Sequence, residues 1–176
     1  MTPPPPIALS IAGTDPSGGA GIQADLKTFH GLGVYGCAVV TSVNAQNTLG
    51  VQRVEPVAAD LVAAQLQAVL SDTPPAAIKI GQLGKRETIL AVVERLSTYR
   101  GPLVVDPVFA STGGRALLDA DALATFREYL LPRVTLLTPN LEEARLLLGR
   151  SVELPGEREQ AARDLLALGP RAVLLK

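Results

Sequence analysis

At 176 residues the chain is long enough to bury one α/β core, and 47% apolar with 19% charged residues is ordinary globular composition. A net charge of -1 with three Tyr and three Phe excludes a basic, base-stacking nucleic-acid surface, and no apolar run reaches membrane-spanning length. The lone Cys37 cannot form an internal disulfide and residues 2–6 are not a signal peptide, so a cytoplasmic location is expected.

A disordered proline-rich leader is expected at 1–6 and one domain over 7–176. The apolar run 7–12 leads into Gly13-Thr14-Asp15-Pro16-Ser17-Gly18-Gly19-Ala20-Gly21, after which Ile22, Leu26 and Phe29 recur at helical spacing: strand, loop, helix. Four glycines let this loop turn sharply and approach a bound molecule, and the helix N-terminus behind it offers N–H groups to a polar or anionic ligand. Asp25 falls beside the apolar stripe, where a carboxylate can face a pocket.

Gly31-Leu32-Gly33 ends the helix, and 37–43 reads as a single buried strand with Cys37 in the core. His30, the only histidine, is a favourable charge at the helix end. Asn44-Ala45-Gln46-Asn47-Thr48 then follows the strand's carboxyl end, where open α/β sheets collect ligands. Asn47 and Thr48 read as a hydrogen-bonded turn; Gln46 either joins that turn or presents a donor and an acceptor to a heterocycle.

A short strand is predicted at 51–54 and a helix at 60–70 with Val62, Leu66 and Val69 inward. After a break at 71–75, a third buried strand at 77–80 opens into Gly81-Gln82, and the next helix buries Ile89, Val92, Val93 and Leu96. Leu103-Val104-Val105 runs into Asp106-Pro107-Val108, which puts a carboxylate at the end of a core strand, as a turn acid or a site residue. Ser111-Thr112-Gly113-Gly114 reads as a flexible loop before a helix bearing Leu123, Phe126 and Leu130. A strand at 134–137 ends in Thr138-Pro139-Asn140-Leu141-Glu142-Glu143, where Asn140 and Glu143 form a capping box or orient Mg²⁺ and phosphate. A helix with Ala161, Leu165 and Leu168 and a strand at 172–175 complete the chain up to Lys176.

Alternating strands and helices predict a mostly parallel sheet covered on both faces, with the site at its carboxyl edge. Gly19-Ala20-Gly21-Ile22-Gln23-Ala24 weakly fits a dinucleotide fingerprint, but Asn44-Ala45-Gln46 stands where the ribose-binding acid belongs. A P-loop is excluded because no glycine-rich loop ends in Gly-Lys-Ser/Thr.

From about Ile7 to Lys176 these segments closely resemble the hydroxymethylpyrimidine/phosphomethylpyrimidine kinases of thiamine biosynthesis, in the ribokinase-like superfamily. The most specific stretches are 12–25, Ala45-Gln46-Asn47-Thr48, Lys79-Ile80-Gly81, Val105-Asp106-Pro107-Val108 and 138–144. The resemblance implies a ribokinase-like three-layer sandwich that passes the ATP γ-phosphoryl group to the hydroxymethyl group of an aminopyrimidine, and a second one to the monophosphate. It places Gln46 against the pyrimidine with Gly13, Ala20, Asp25, Gln82 and Val108 around it. Asp106 and Glu143 match positions near Mg²⁺ and the phosphates, Asn140 lies beside them, and Lys176 matches a lysine near the nucleotide. A homodimer is implied for the full-length protein.

Gln82 and Phe109 stand where the family usually has methionine, which implies a differently shaped apolar wall, and the loop at 111–114 departs from the commoner Ser-Gly form. Family members continue past the position of Lys176 with Gly-Gly and a Gly-Thr-Gly-Cys segment carrying the anion hole and catalytic cysteine. The chain is therefore expected to be a C-terminally incomplete kinase domain holding no such catalytic residue. A pyridoxal kinase-like enzyme and a catalytically inactive small-molecule binding module stay open as alternatives.

Overall fold

The computed structural model describes residues 3–109, 117–152 and 156–176, so the predicted loop at 111–114 lies outside the described residues. In chain order the elements are β1 (Ile7–Ala12), α1 (Gly21–Gly31), β2 (Tyr35–Val40), β3 (Ser42–Asn47), β4 (Gly50–Pro56), α2 (Ala59–Asp72) and β5 (Ala77–Ile80). They continue with α3 (Arg86–Arg95), β6 (Leu103–Val105), α4 (Ala120–Thr125), β7 (Leu136–Leu137), α5 (Leu141–Leu148) and α6 (Glu157–Leu166). Between α4 and β7 the chain makes a π turn, Phe126–Leu130, and a 3-10 turn, Leu131–Arg133.

Leu9, Ser10, Ile11 and Ala12 are all buried in succession, because helices cover both faces of β1; a strand open on one side would alternate. The five-stranded parallel sheet has the order β2-β1-β5-β6-β7. The chain steps outward from β1 to β2 and then returns past β1 to β5, so right-handed crossovers put α1 and α2 on opposite faces. Strand order reverses between β1 and β5, and the crevice outside their carboxyl ends is where open α/β sheets bind ligands. The core runs from Leu9 and Ile11 through Ile78 and Ile80 to Ile89, Val92 and Leu96, and to Phe126, Leu130 and Leu131. Phe109, read from sequence as part of a substrate wall, instead packs edge-on against Phe126 at 5.2 Å in this core.

Three predicted strands are corrected. The run 37–43 is not one strand: β2 starts at Tyr35 and stops at Val40, and Ser42–Asn47 belongs to a separate antiparallel hairpin with Gly50–Pro56. Thr41 makes the break, since its N–H donates to the Ala12 carbonyl at 3.0 Å, its hydroxyl to the Gln82 carbonyl at 2.5 Å, and its carbonyl accepts from Val57. Asn44, Ala45 and Gln46 are thus strand residues, whereas the turn expected at Asn47 and Thr48 is present, with Asn47 Oδ1 accepting from the Leu49 N–H. The strand predicted at 134–137 shrinks to β7, and 172–175 is no strand, Val173 alone bridging Leu137 in parallel. Pro139 lies just past β7 and has no N–H to extend that ladder. At the other end, Pro3–Pro6 is irregular and exposed, although the Pro6 carbonyl accepts from the Tyr35 N–H.

Candidate active site

The glycine loop is organised around its own carboxylate. Asp15 is buried; its Oδ1 accepts from the Ser17 N–H (2.9 Å) and hydroxyl (2.7 Å), and its Oδ2 from the N–H groups of Gly19 (3.0 Å) and Ala20 (2.7 Å). The Gln46 side chain also acts to lower the Asp15 pKa. Burial is the largest single influence and acts to raise the pKa, but the hydrogen bonds together outweigh it and bring the carboxyl down to about 2. The N–H groups of Ser17, Gly19 and Ala20 in the loop donate to Asp15, and that of Ile22 in the first turn of α1 donates to the Gly13 carbonyl. The loop thus folds around an anion of its own.

A stability prediction follows from the sign of this shift. A carboxyl lowered from 3.8 to about 2 stabilises the fold above the unfolded value and loses that contribution as pH falls through the folded one. Asp15→Asn is therefore expected to cost about 2 kcal/mol near neutrality. Its deficit relative to the parent should shrink between roughly pH 4 and pH 2. Urea titrations across that range check it, and a pH-independent deficit would mean that shape, not charge, matters there.

Beside this loop a cavity of about 750 Å³ opens at the carboxyl ends of β1 and β5, and Gly13, Ala20, Asp25, Gln46, Gln82, Asp106 and Val108 all line it. Asp25 Oδ2 accepts from the Ser10 hydroxyl at 2.6 Å and the Lys79 ammonium at 2.8 Å, so the α1 carboxylate is tied to both β1 and β5. Strand alternation turns Ser42, Asn44 and Gln46 of β3 inward, with a bulge between Ala45 and Gln46, and the Asn44 N–H donates to Thr14 Oγ1 at 2.9 Å. Gly13 has to be glycine: a Cβ there would overlap Ser42 Oγ and stand 2.5 Å from Gln82 Oε1. Sequence reasoning gave no site role to Asp15, Lys79 or Asn44. Lys79 carried a signal, being the one charged residue in the apolar run of β5.

A second cluster stands at the ends of β6 and β7. Asp106 Oδ1 accepts from the Lys176 ammonium at 2.7 Å and from the Thr138 hydroxyl at 3.3 Å. Asn140 Oδ1 accepts from the Glu143 N–H at 2.9 Å while Glu143 Oε2 accepts from the Asn140 N–H at 2.8 Å, which is the expected capping box. Glu143 is buried, and that burial raises its pKa; the Asn140 N–H opposes the rise, Asp106 adds to it, and Lys176 opposes it. Asn140, Glu143 and Lys176 are not part of the cavity lining, and Asp106 joins the two clusters. Among the described residues no group of three or more His, Cys, Asp or Glu could hold a metal ion, so any cation here would rest on two carboxylates at most. No helix among the described residues is long and apolar enough to cross a membrane.

A family model described as Phosphomethylpyrimidine kinase matches residues 15–176. The chain belongs to the phosphomethylpyrimidine kinase family. Within it, the chain is 51% identical over 173 residues to the hydroxymethylpyrimidine/phosphomethylpyrimidine kinase of Rhizobium meliloti, covering 97% of this chain and 64% of that protein. To the enzyme of the same name from Escherichia coli it is 52% identical over 171 residues, covering 96% and 64%. The chain thus spans a little under two thirds of the length of these relatives. The crystal structure of phosphomethylpyrimidine kinase from Clostridium difficile superposes with a TM-score of 0.89 at 44% identity, over 97% of this chain and 74% of that one. Pyridoxal kinase from Staphylococcus aureus in complex with AMP-PCP and pyridoxal gives 0.85 at 35%, over 98% and 62%. The fold of this phosphomethylpyrimidine kinase family chain is the expected ribokinase-like α/β fold.

Proposed function

We propose that the protein phosphorylates hydroxymethylpyrimidine with ATP, and then its monophosphate, as a cytoplasmic, homodimeric enzyme of thiamine biosynthesis. The observation that carries this reading is the sharing of Asp106 between the cavity that Gln46, Asp25 and Val108 line and the cluster of Lys176, Thr138 and Glu143. An alcohol seated in the cavity is thereby aimed at a phosphate held beside Asp106, which is the alignment phosphoryl transfer needs.

Gln46 holds the ring through its amide, Gly13 and Ala20 let the ring lie against the backbone, and Gln82 and Val108 bound it. Asn140 shapes the start of α5, and Lys176 meets the negative charge of the nucleotide phosphates. Asp106 already holds one cation, the Lys176 ammonium, so its surroundings suit positive charge; Asp106 with Glu143 would hold Mg²⁺. That ion supplies charge neutralisation to the phosphates when bound.

Gln46→Ala is expected to leave the fold intact and to weaken hydroxymethylpyrimidine binding by roughly 1–3 kcal/mol through lost hydrogen bonds. Calorimetry with hydroxymethylpyrimidine and with pyridoxal checks this. Unchanged affinity in the variant removes Gln46 from the site, and a clear preference for pyridoxal shifts the reading to a pyridoxal kinase.

A further inference from the structure

Lys79 is the only charged residue in the strands of the parallel sheet. Parallel register sets it beside Ser10 of β1, and Asp25 of α1 meets both from above the sheet. Ala12 and Gly81 follow on the same face, two residues on from Ser10 and Lys79, and leave room for the ammonium; a Cβ on Gly81 would lie 3.0 Å from Lys79 Nζ. Packing alone does not call for such a pair, since apolar side chains of similar volume often fasten a helix to a sheet as well as two charges stripped of water. The pair belongs instead to the cavity wall: Ala12, Asp25, Lys79 and Gly81 all line it, and the Lys79 and Asp25 side chains keep 24% and 18% of their surface. Asp25 Oδ2 takes both donors, whereas Oδ1 accepts from nothing among the described residues and stays accessible.

We propose that Lys79 is a positioning residue which, acting through Asp25, makes the cavity bind the neutral amino-heterocycle and turn away its protonated form. With Ser10 it occupies Oδ2 and leaves Oδ1 as a single acceptor for a ring N–H. Its ammonium also cancels the carboxylate charge, so a ring that has taken up a proton meets no uncompensated anion there. The other charged residues lining the cavity are already satisfied, Asp15 by the donors of its own loop and Asp106 by Lys176. The floor, where Asn44 Nδ2 donates to Gln82 Oε1 at 2.9 Å beside Gly13, carries no charge. A bare carboxylate at Asp25 would select the opposite form, because a protonated ring donates a charge-assisted hydrogen bond roughly twice as strong as a neutral one.

This rests on the reading of the cavity as the site of an aminopyrimidine alcohol, and the test separates the two. Such a ring takes up a proton in mildly acidic solution, so calorimetry with hydroxymethylpyrimidine is run from neutral into mildly acidic buffer on the parent chain, Lys79→Met and Lys79→Arg. In the parent, affinity should fall as the ring is protonated, approaching about tenfold per pH unit. Lys79→Met should lose or reverse this dependence, because Asp25 is then unpaired, and Lys79→Arg, which keeps the cation, should retain it. Where Lys79→Met does not fold, Lys79→Gln keeps a donor for Oδ2 without the charge and should show the same flattened profile. Parallel profiles in the parent and the folded uncharged variant, whatever their separation, mark Lys79 as a strut between α1 and β5 and overturn the inference. A parent that binds more tightly at the acid end overturns it too, and both outcomes leave the proposed function standing. Failure of the folded parent to bind the ring at any pH overturns both.

Discussion

Asp106→Asn is expected to lower phosphoryl transfer by the whole protein roughly a hundred- to a thousandfold while leaving heterocycle affinity within about threefold. The substitution keeps the size and one acceptor oxygen, so the hydrogen bonds from Thr138 and Lys176 can persist; what disappears is the negative charge that faces the ammonium. In the proposed function, transfer would depend on that charge because it holds the cations that meet the phosphates, whereas uncharged amides would hold the ring. A turnover assay and a binding titration on the same preparation give both numbers. A further readout is available at Glu143, whose carboxyl Asp106 helps to push up: in the variant its pKa should fall towards the ordinary carboxylate range, which carbon-detected titration can follow. If the variant unfolds and its folded fraction keeps full activity, Asp106 is a turn acid.

Gly21→Ala is expected to destabilise the fold by on the order of 3 kcal/mol. Gly21 sits at φ +56, where an L side chain is strained, and a Cβ there would overlap the Gly13 carbonyl oxygen and lie 3.2 Å from the Thr14 carbonyl carbon. The Gly13 carbonyl oxygen accepts from the Ile22 N–H, so relief by backbone movement breaks the bond that ties the start of α1 to the end of β1. Gly149 provides the control, with φ +66 at the end of α5 and nothing within 4 Å of its Cβ position. Gly149→Ala should cost only about 1 kcal/mol, the price of the left-handed conformation alone. Equal losses in urea denaturation would show that the close approach of Gly21 to Gly13 carries no weight.

How much of this was legible in the chain depended on whether the governing contact was local. The strands β1, β5 and β6 could be read because a strand covered on both faces is a continuous apolar run. The capping box of Asn140 and Glu143 was equally readable, its partners being one helical turn apart. The hairpin strand β3 was misread for a physical reason: it lines a cavity, so Ser42, Asn44 and Gln46 point inward while Val43 is 56% exposed, the reverse of the usual polarity. Reasoning from hydrophobic pattern equates inward with apolar, which fails wherever inward means towards a ligand. Asp25 and Asp106 stood out by position, but their partners Lys79 and Lys176 lie 54 and 70 residues away, and no spacing rule reaches that far. Asp15 was hidden in plain view, as an Asp-Pro-Ser-Gly turn whose carboxylate gathers the loop instead of leaving it for a ligand.

The floor of the cavity joins Gly13, Asn44 and Gln82, and even its single direct bond spans 38 residues of chain. Contacts of that separation form only after loop closure has brought the parallel strands β1 and β5 together, so they belong to the late side of the folding barrier. The contacts within helical turns such as α3, by contrast, span only four residues of chain. A compound resting on the floor consequently stabilises the native state without touching the transition state for folding. In stopped-flow experiments it should slow unfolding in proportion to its affinity and leave the refolding rate where it was.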